Sequence, residues 1–131
     1  MNPEDKKFVI GELSFFAELS KKDLAIIDTK SQIVEYRKGQ IIYEEGSAPS
    51  AFYCILSGRV KIYTKDKAGN QLILEYLHRS KYFGIISLLT NETHSVTSEA
   101  INDCAILVIQ REDFNFLLQS IPHLAIDLSR T

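Results

Sequence analysis

The residues best placed to do chemistry lie in 82–100, YFGIISLLTNETHSVTSEA. Tyr82 and Phe83 lead into Gly84. Ile85, Ile86, Leu88 and Leu89 follow at helix-like spacing, then comes a polar turn with Ser87 behind it and His94 ahead, and Ser95 begins a strand-like run to Ala100. A glycine that opens a short helix lets backbone approach a ligand closely, and the free N–H groups of a helix's first turn make a ready site for a phosphate. Other reactive side chains are few. His78, His94 and His123 are scattered over a strand, the glycine-led stretch and a helix, whereas a metal enzyme on a β-barrel needs clustered histidines and an acid. No nucleophile and base stand at motif spacing, so the chain does not read as an enzyme. Cys54 and Cys104 each fall in an apolar strand-like run and read as buried free thiols of a reducing compartment. Two isolated cysteines cannot supply the four thiolates of an iron–sulfur cluster, and haem would need an axial histidine, for which His78 and His94 are the candidates.

These residues need a scaffold, and the composition allows one. At 131 residues, with 45% apolar and 24% charged residues, the chain is expected to be a single domain, 1–131, with a real core. A net charge of −2 gives no basic surface for a phosphate backbone, so any DNA contact is expected to come from elsewhere. The first residues, MNPEDKKFVIGEL, lack the apolar core of a leader, and no run approaches membrane-spanning length; the expected location is the cytoplasm.

Residues 1–30 read as a helical lead-in. Ser20 stands three residues before Asp23 as a hydroxyl cap, Leu24 and Ile27 form one apolar face, and a helix over 21–28 follows. Phe15 and Phe16 are expected to dock that helix on the core. From residue 31 to 110 the pattern changes to short segments of β-formers: 33–37, 41–43, 51–56, 59–65, 71–78, 95–101 and 104–110. Such spacing argues for a closed or sandwiched β structure. Alternation is clearest in 59–65, which puts Val60 and Ile62 inward and basic side chains outward, and 66–70 predicts a hairpin into the next strand.

Residues 111–131 return to helix. Acids at Glu112 and Asp113 suit a first turn, with Phe114, Leu117, Leu118 and Ile121 on one face. Pro122 suits the start of another helix carrying Leu124 and Leu128. That helix runs to Thr131 with no stop signal, so the sequence predicts an element that continues in a longer parent protein.

The run Lys38-Gly39-Gln40, Glu45-Gly46, the segment FYCILSGRVKIY over 52–63, Tyr82-Phe83-Gly84 and Ser87-Leu88-Leu89 resembles the cyclic-nucleotide-binding domain of the catabolite-activator/FNR (CRP/FNR) family of bacterial regulators. It is similar also to the regulatory domains of cyclic-nucleotide-dependent kinases and channels. The resemblance covers about 13–131 and implies a mainly β fold, a β-roll or jelly roll (double-stranded β-helix) with flanking N- and C-terminal helices. It also implies a phosphate cassette at 82–100, cyclic AMP or a related cyclic nucleotide as effector, and a homodimer formed through the continuation of the C-terminal helix. DNA would be met only through an output domain absent from this chain.

The family's cassette reads Gly-Glu-(Leu/Ile/Met), then an arginine followed by a small residue. Backbone N–H groups receive the cyclic phosphate, the arginine pairs its charge, and the glutamate accepts the ribose hydroxyl. Carried onto this sequence, Gly84 is kept, Ile85 replaces the glutamate, His94 replaces the arginine, and Ser95 keeps the small hydroxyl. The implied phosphate end is Gly84, Ile85, Ile86, Ser87, His94 and Ser95. Losing the two discriminating side chains at about 1.5 to 3 kcal/mol each weakens binding roughly a hundredfold to ten-thousandfold if the losses add. His94 reads equally well as a partial stand-in for the arginine and as a polar residue at a strand entrance. The expectation is therefore a regulatory domain with weak cyclic nucleotide binding or another anionic ligand; the alternative is a ligand-free dimerisation scaffold.

Overall fold

The computed structural model describes residues 3–129, so the expected continuation of the last helix to Thr131 lies outside the described residues. The lead-in is helix α1 (Pro3–Glu12), a run of tight turns, and helix α2 (Lys21–Lys30). In the turns Leu13, Phe16 and Leu19 each donate their N–H to the carbonyl three residues back, which coils 10–19 compactly enough to bury Leu13, Phe15 and Phe16. Ser20 caps α2 as expected, its hydroxyl accepting the Asp23 N–H at 3.1 Å.

Eight strands then build two antiparallel four-stranded sheets. One holds β1 (Gln32–Tyr36), β8 (Cys104–Gln110), β3 (Ala51–Ser57) and β6 (Tyr82–Phe83) in that order; the other holds β2 (Ile41–Tyr43), β7 (Thr97–Ala100), β4 (Val60–Lys65) and β5 (Gln71–Leu77). The architecture is the predicted β-roll with flanking helices. Between the sheets lie Tyr43, Tyr53, Ile55, Val60, Ile62, Phe83, Ile106 and Val108. On the outer face of the first sheet, Phe52, Cys54, Leu56, Leu107 and Ile109 meet the helical layer. That sheet is covered on both sides, which is why every residue from Ala51 to Leu56 is buried and its sequence is continuously apolar. The second sheet turns one face to solvent. In β4, Val60 and Ile62 point inward as expected, and Lys61 is half-covered, donating to Gln71 and lying 3.5 Å from Glu99. In β5, an edge strand, Leu72, Leu74 and Tyr76 are exposed.

After β8 come α4 (Arg111–Ser120) and α5 (Pro122–Ser129). Phe114 and Leu117 of α4 are fully buried, and Phe114 stacks on Phe52 at 4.7 Å between ring centroids. Ile121 and Leu124 seat the joint between the helices. Cys54 and Cys104 are buried and unpaired, as predicted. Among the described residues no helix is long and apolar enough to cross a membrane.

Two expectations shift. The strand predicted over 95–101 begins only at Thr97, because His94 is held out of the sheet by backbone bonds to a neighbouring turn: its N–H donates to Ser47 at 2.9 Å and its carbonyl accepts from Gly46 at 2.7 Å. The helical lead-in consists of two helices joined by turns, and the helix expected over 21–28 runs on to Lys30.

Candidate ligand-binding site

Helix α3 (Ile85–Thr90) follows β6 directly, and Gly84 is its N-cap. Gly84 adopts φ +77°, the left-handed region, and has no side chain with which to cap the helix. Its lack of a Cβ matters as much as its φ. A methyl there would lie 3.2 Å from the Tyr43 ring, 3.3 Å from the Tyr53 ring and 3.6 Å from the His94 ring. Three aromatic rings therefore converge on one glycine. Within α3, Leu88 is anchored in the core and Ile85 packs against it, while Ile86 is exposed. The first turn of the helix is pinned from below and open above.

Tyr43 is positioned by an irregularity. The β2–β7 register slips between Ile41 and Tyr43, and two buried hydroxyls of β7 serve the backbone donors there. Ser98 accepts from the Tyr43 N–H at 3.2 Å and Thr97 accepts from the Glu45 N–H at 2.9 Å. Tyr43 in turn carries His94, whose ring lies nearly parallel to it, 3.7 Å between centroids and 13° between planes. His94 is only 3% exposed, and its Nε2 is buried without a hydrogen-bond partner. Burial pushes the His94 imidazole below its ordinary value, which favours the neutral ring.

A cavity of about 1240 Å³ opens beside these residues. Gly84, Ile85, Ile86, Ser87, His94 and Ser95 all line it, so the six positions picked out in the sequence share one wall. Sequence reasoning missed other members. Tyr43 contributes its ring, and Arg79 and Lys81 bring positive charge from the segment just before β6. Arg79 is already paired with Glu12 at 3.2 Å. Glu18 and Asp127 bring carboxylates from the lead-in turns and α5. The basic pair flanking Ser80 was visible in the sequence, five and three residues ahead of Gly84.

The haem candidates separate here. His78 is exposed at the cavity wall, and His94 is sealed against Tyr43, so its Nε2 reaches an axial ligand position only if the ring leaves that stack. Among the described residues one group of donors could hold a metal ion, and it uses neither: Glu18, His123 and Asp127.

The comparisons with known proteins fit this architecture. The model of the cyclic nucleotide-binding domain family matches residues 33–121. The cyclic AMP receptor protein of Thermus thermophilus is 30% identical over 94 residues, covering 72% of this chain and 44% of that protein. The crystal structure of the Thermus thermophilus catabolite activator protein superposes with a TM-score of 0.80 at 27% identity, over 88% of this chain and 55% of that one. A regulatory subunit of a cAMP-independent protein kinase A from Trypanosoma cruzi, bound to guanosine, shares the fold with a TM-score of 0.81 at 17% identity, over 89% of this chain and 41% of that one. The chain spans less than half the length of the curated relatives it matches.

Proposed function

The chain belongs to the cyclic nucleotide-binding domain family, and on that premise we propose that it is a ligand-sensing regulatory domain with a degenerate phosphate cassette. Its effector site is Gly84, Ile85, Ile86, Ser87, His94 and Ser95. It binds cyclic AMP and cyclic GMP weakly, and takes an anionic effector best when His94 is charged. The observation that carries this reading is the state of His94. Where the resembling family places an arginine toward a phosphate, this chain has a neutral imidazole folded onto Tyr43 with its Nε2 unpartnered. An anion in the cavity meets no guanidinium fork there, and Ile85 offers no acceptor to a ribose hydroxyl.

Protonation changes that balance. An imidazolium has two donors and a charge, and a bound phosphate stabilises both. The domain is regulatory rather than catalytic, and its output is passed on by the helices after β8. By resemblance to bacterial regulators, it pairs as a homodimer through the continuation of α5, reaches DNA through an output domain outside this chain and works in the cytoplasm. A second reading, a scaffold that has lost its ligand, is favoured by the same seal at His94.

Isothermal titration with cyclic AMP, cyclic GMP, inorganic phosphate and guanosine at about pH 6 and about pH 7.5, either side of the ordinary imidazole value, tests the proposal. Weak binding of the cyclic nucleotides that strengthens at the lower pH supports it. A sub-micromolar dissociation constant for cyclic AMP at the higher pH overturns it, and no heat with any ligand at either pH selects the scaffold.

A further inference from the structure

We propose that Glu18, His123 and Asp127 form a binding site for a borderline divalent metal ion of the zinc class, at the edge of the cavity and separate from the glycine-led wall. The donors come from two segments far apart in sequence. His123 and Asp127 stand one turn apart on α5, the i and i+4 positions of a single helix face, and Glu18 comes from the coiled turns ahead of α2. His123 Nε2 lies 3.4 Å from Glu18 Oε2 and 3.7 Å from Asp127 Oδ2, and the three donor atoms all fall within 4.8 Å of one another.

Those spacings match a metal better than they match a hydrogen-bonded trio. A neutral imidazole nitrogen directs one N–H at one acceptor, yet here a single nitrogen faces two carboxylates, one at the outer limit of a hydrogen bond and one beyond it. Around a tetrahedral ion with metal–nitrogen and metal–oxygen bonds of about 2.0 to 2.2 Å, neighbouring donors sit roughly 3.3 to 3.6 Å apart. Two edges of that figure are already in place within a few tenths of an ångström. The third needs Glu18 to swing inward, and it is the most exposed of the three side chains at 75%.

The backbones beneath are fixed. Leu19 packs next to Glu18, and Leu124 next to His123 is 1% exposed, so the core itself sets where the donors start from. Among the described residues, no lysine or arginine lies within 4.0 Å of either carboxylate, and the nitrogen they face is His123 Nε2. One nitrogen and two oxygens suit a zinc-type ion, whereas magnesium favours an all-oxygen octahedron that keeps its waters. Three protein ligands leave a fourth position open, and two of the three ligand residues, Glu18 and Asp127, line the cavity. A metal here ties α5 to the lead-in turns and offsets the two carboxylates at the cavity's edge.

The test is titration of the intact chain with zinc sulfate alone, with cobalt(II) chloride as a spectroscopic probe and magnesium chloride as a comparison. We expect one zinc per chain, cobalt bands of tetrahedral intensity, and no magnesium binding at matched concentration. His123→Gln should weaken zinc at least about a hundredfold, and Asp127→Asn and Glu18→Gln about ten- to a hundredfold each. Cys54→Ser, which removes a thiol that is not among the three donors, should leave the affinity unchanged, and circular dichroism verifies that each variant is folded. Zinc bound equally well by folded His123→Gln, or lost on Cys54→Ser, overturns the site. None of these readouts depends on the effector, so failure here leaves the reading of the glycine-led wall standing.

Discussion

The imidazole of His94 rests flat on the phenol ring of Tyr43, 3.7 Å away, and both rings abut the position where Gly84 would carry a Cβ. Four consequences of that arrangement and of the core around it can be measured.

Acid should weaken the fold through His94. Burial lowers its folded-state value below the unfolded one near ~6.5, so the unfolded chain binds the proton more readily. The contribution is fully present above about pH 6.5 and is lost as pH falls toward the folded value; each unit of depression is worth about 1.4 kcal/mol. Urea unfolding at descending pH should show the loss in the parent and a flatter profile in His94→Gln. Parallel profiles for the two proteins would contradict the sealed, neutral ring.

Restoring the family pattern should restore affinity. Ile85→Glu with His94→Arg supplies an acceptor for the ribose and a fork for the phosphate, and cyclic AMP should bind roughly a hundredfold to ten-thousandfold tighter by calorimetry. Ile85 is half-buried against the core, so the single His94→Arg variant separates the electrostatic gain from the cost of a partly desolvated carboxylate. Unchanged affinity in both variants means the cassette has been mapped onto the wrong residues.

Gly84→Ala combines strain at φ +77° with a methyl 3.2 Å from Tyr43 and 3.3 Å from Tyr53, two buried rings with little room to yield. We expect a loss of about 1 to 3 kcal/mol in unfolding free energy and a changed near-ultraviolet dichroism from the displaced tyrosines. A variant with the parent's unfolding midpoint would show that the wall is softer than its contacts indicate.

Cys54 should be chemically silent. Burial pushes its thiol up to about 12, so almost no thiolate exists at neutral pH. Burial likewise raises Cys104. Ellman's reagent should report no thiol in the native protein and two after denaturation. Fast native labelling of Cys54 would mean that β3 opens far more often than its packing implies.

Much of the scaffold was legible because local pattern and final environment agree. The alternation in β4, the 66–70 hairpin, the capped start of α2 and the apolar face of α4 each follow from one period and one cap. The glycine-led wall was legible too, since Gly84 through Ser87 are contiguous and His94 and Ser95 return to them through one turn. Long-range pairings were not. Nothing near Tyr43 marks it as the platform for His94; that contact is made by the β2–β7 register slip and by the backbone of His94 accepting from Gly46 and donating to Ser47. The histidines looked scattered along the chain, yet His123 meets Glu18 because the seating of α5 on the core brings two distant segments together.

Strand β3 has a different aspect on each side. Tyr53 and Ile55 belong to the interior of the roll, while Phe52 and Cys54, one peptide bond away, belong to the helical layer, where Phe52 stacks on Phe114. The strand acts as the skin of a drum stretched between two chambers: it cannot be pressed from one side without moving on the other. Tyr43 and Phe83, which line the cavity, pack on Tyr53, and one peptide bond away Phe52 stacks on Phe114, with no loop or hinge between the two contacts. The stiffness of a sheet packed on both faces, usually counted as an obstacle to motion, is here a link from the roll's interior to α4, beside the direct one that Asp127 of α5 makes by lining the cavity.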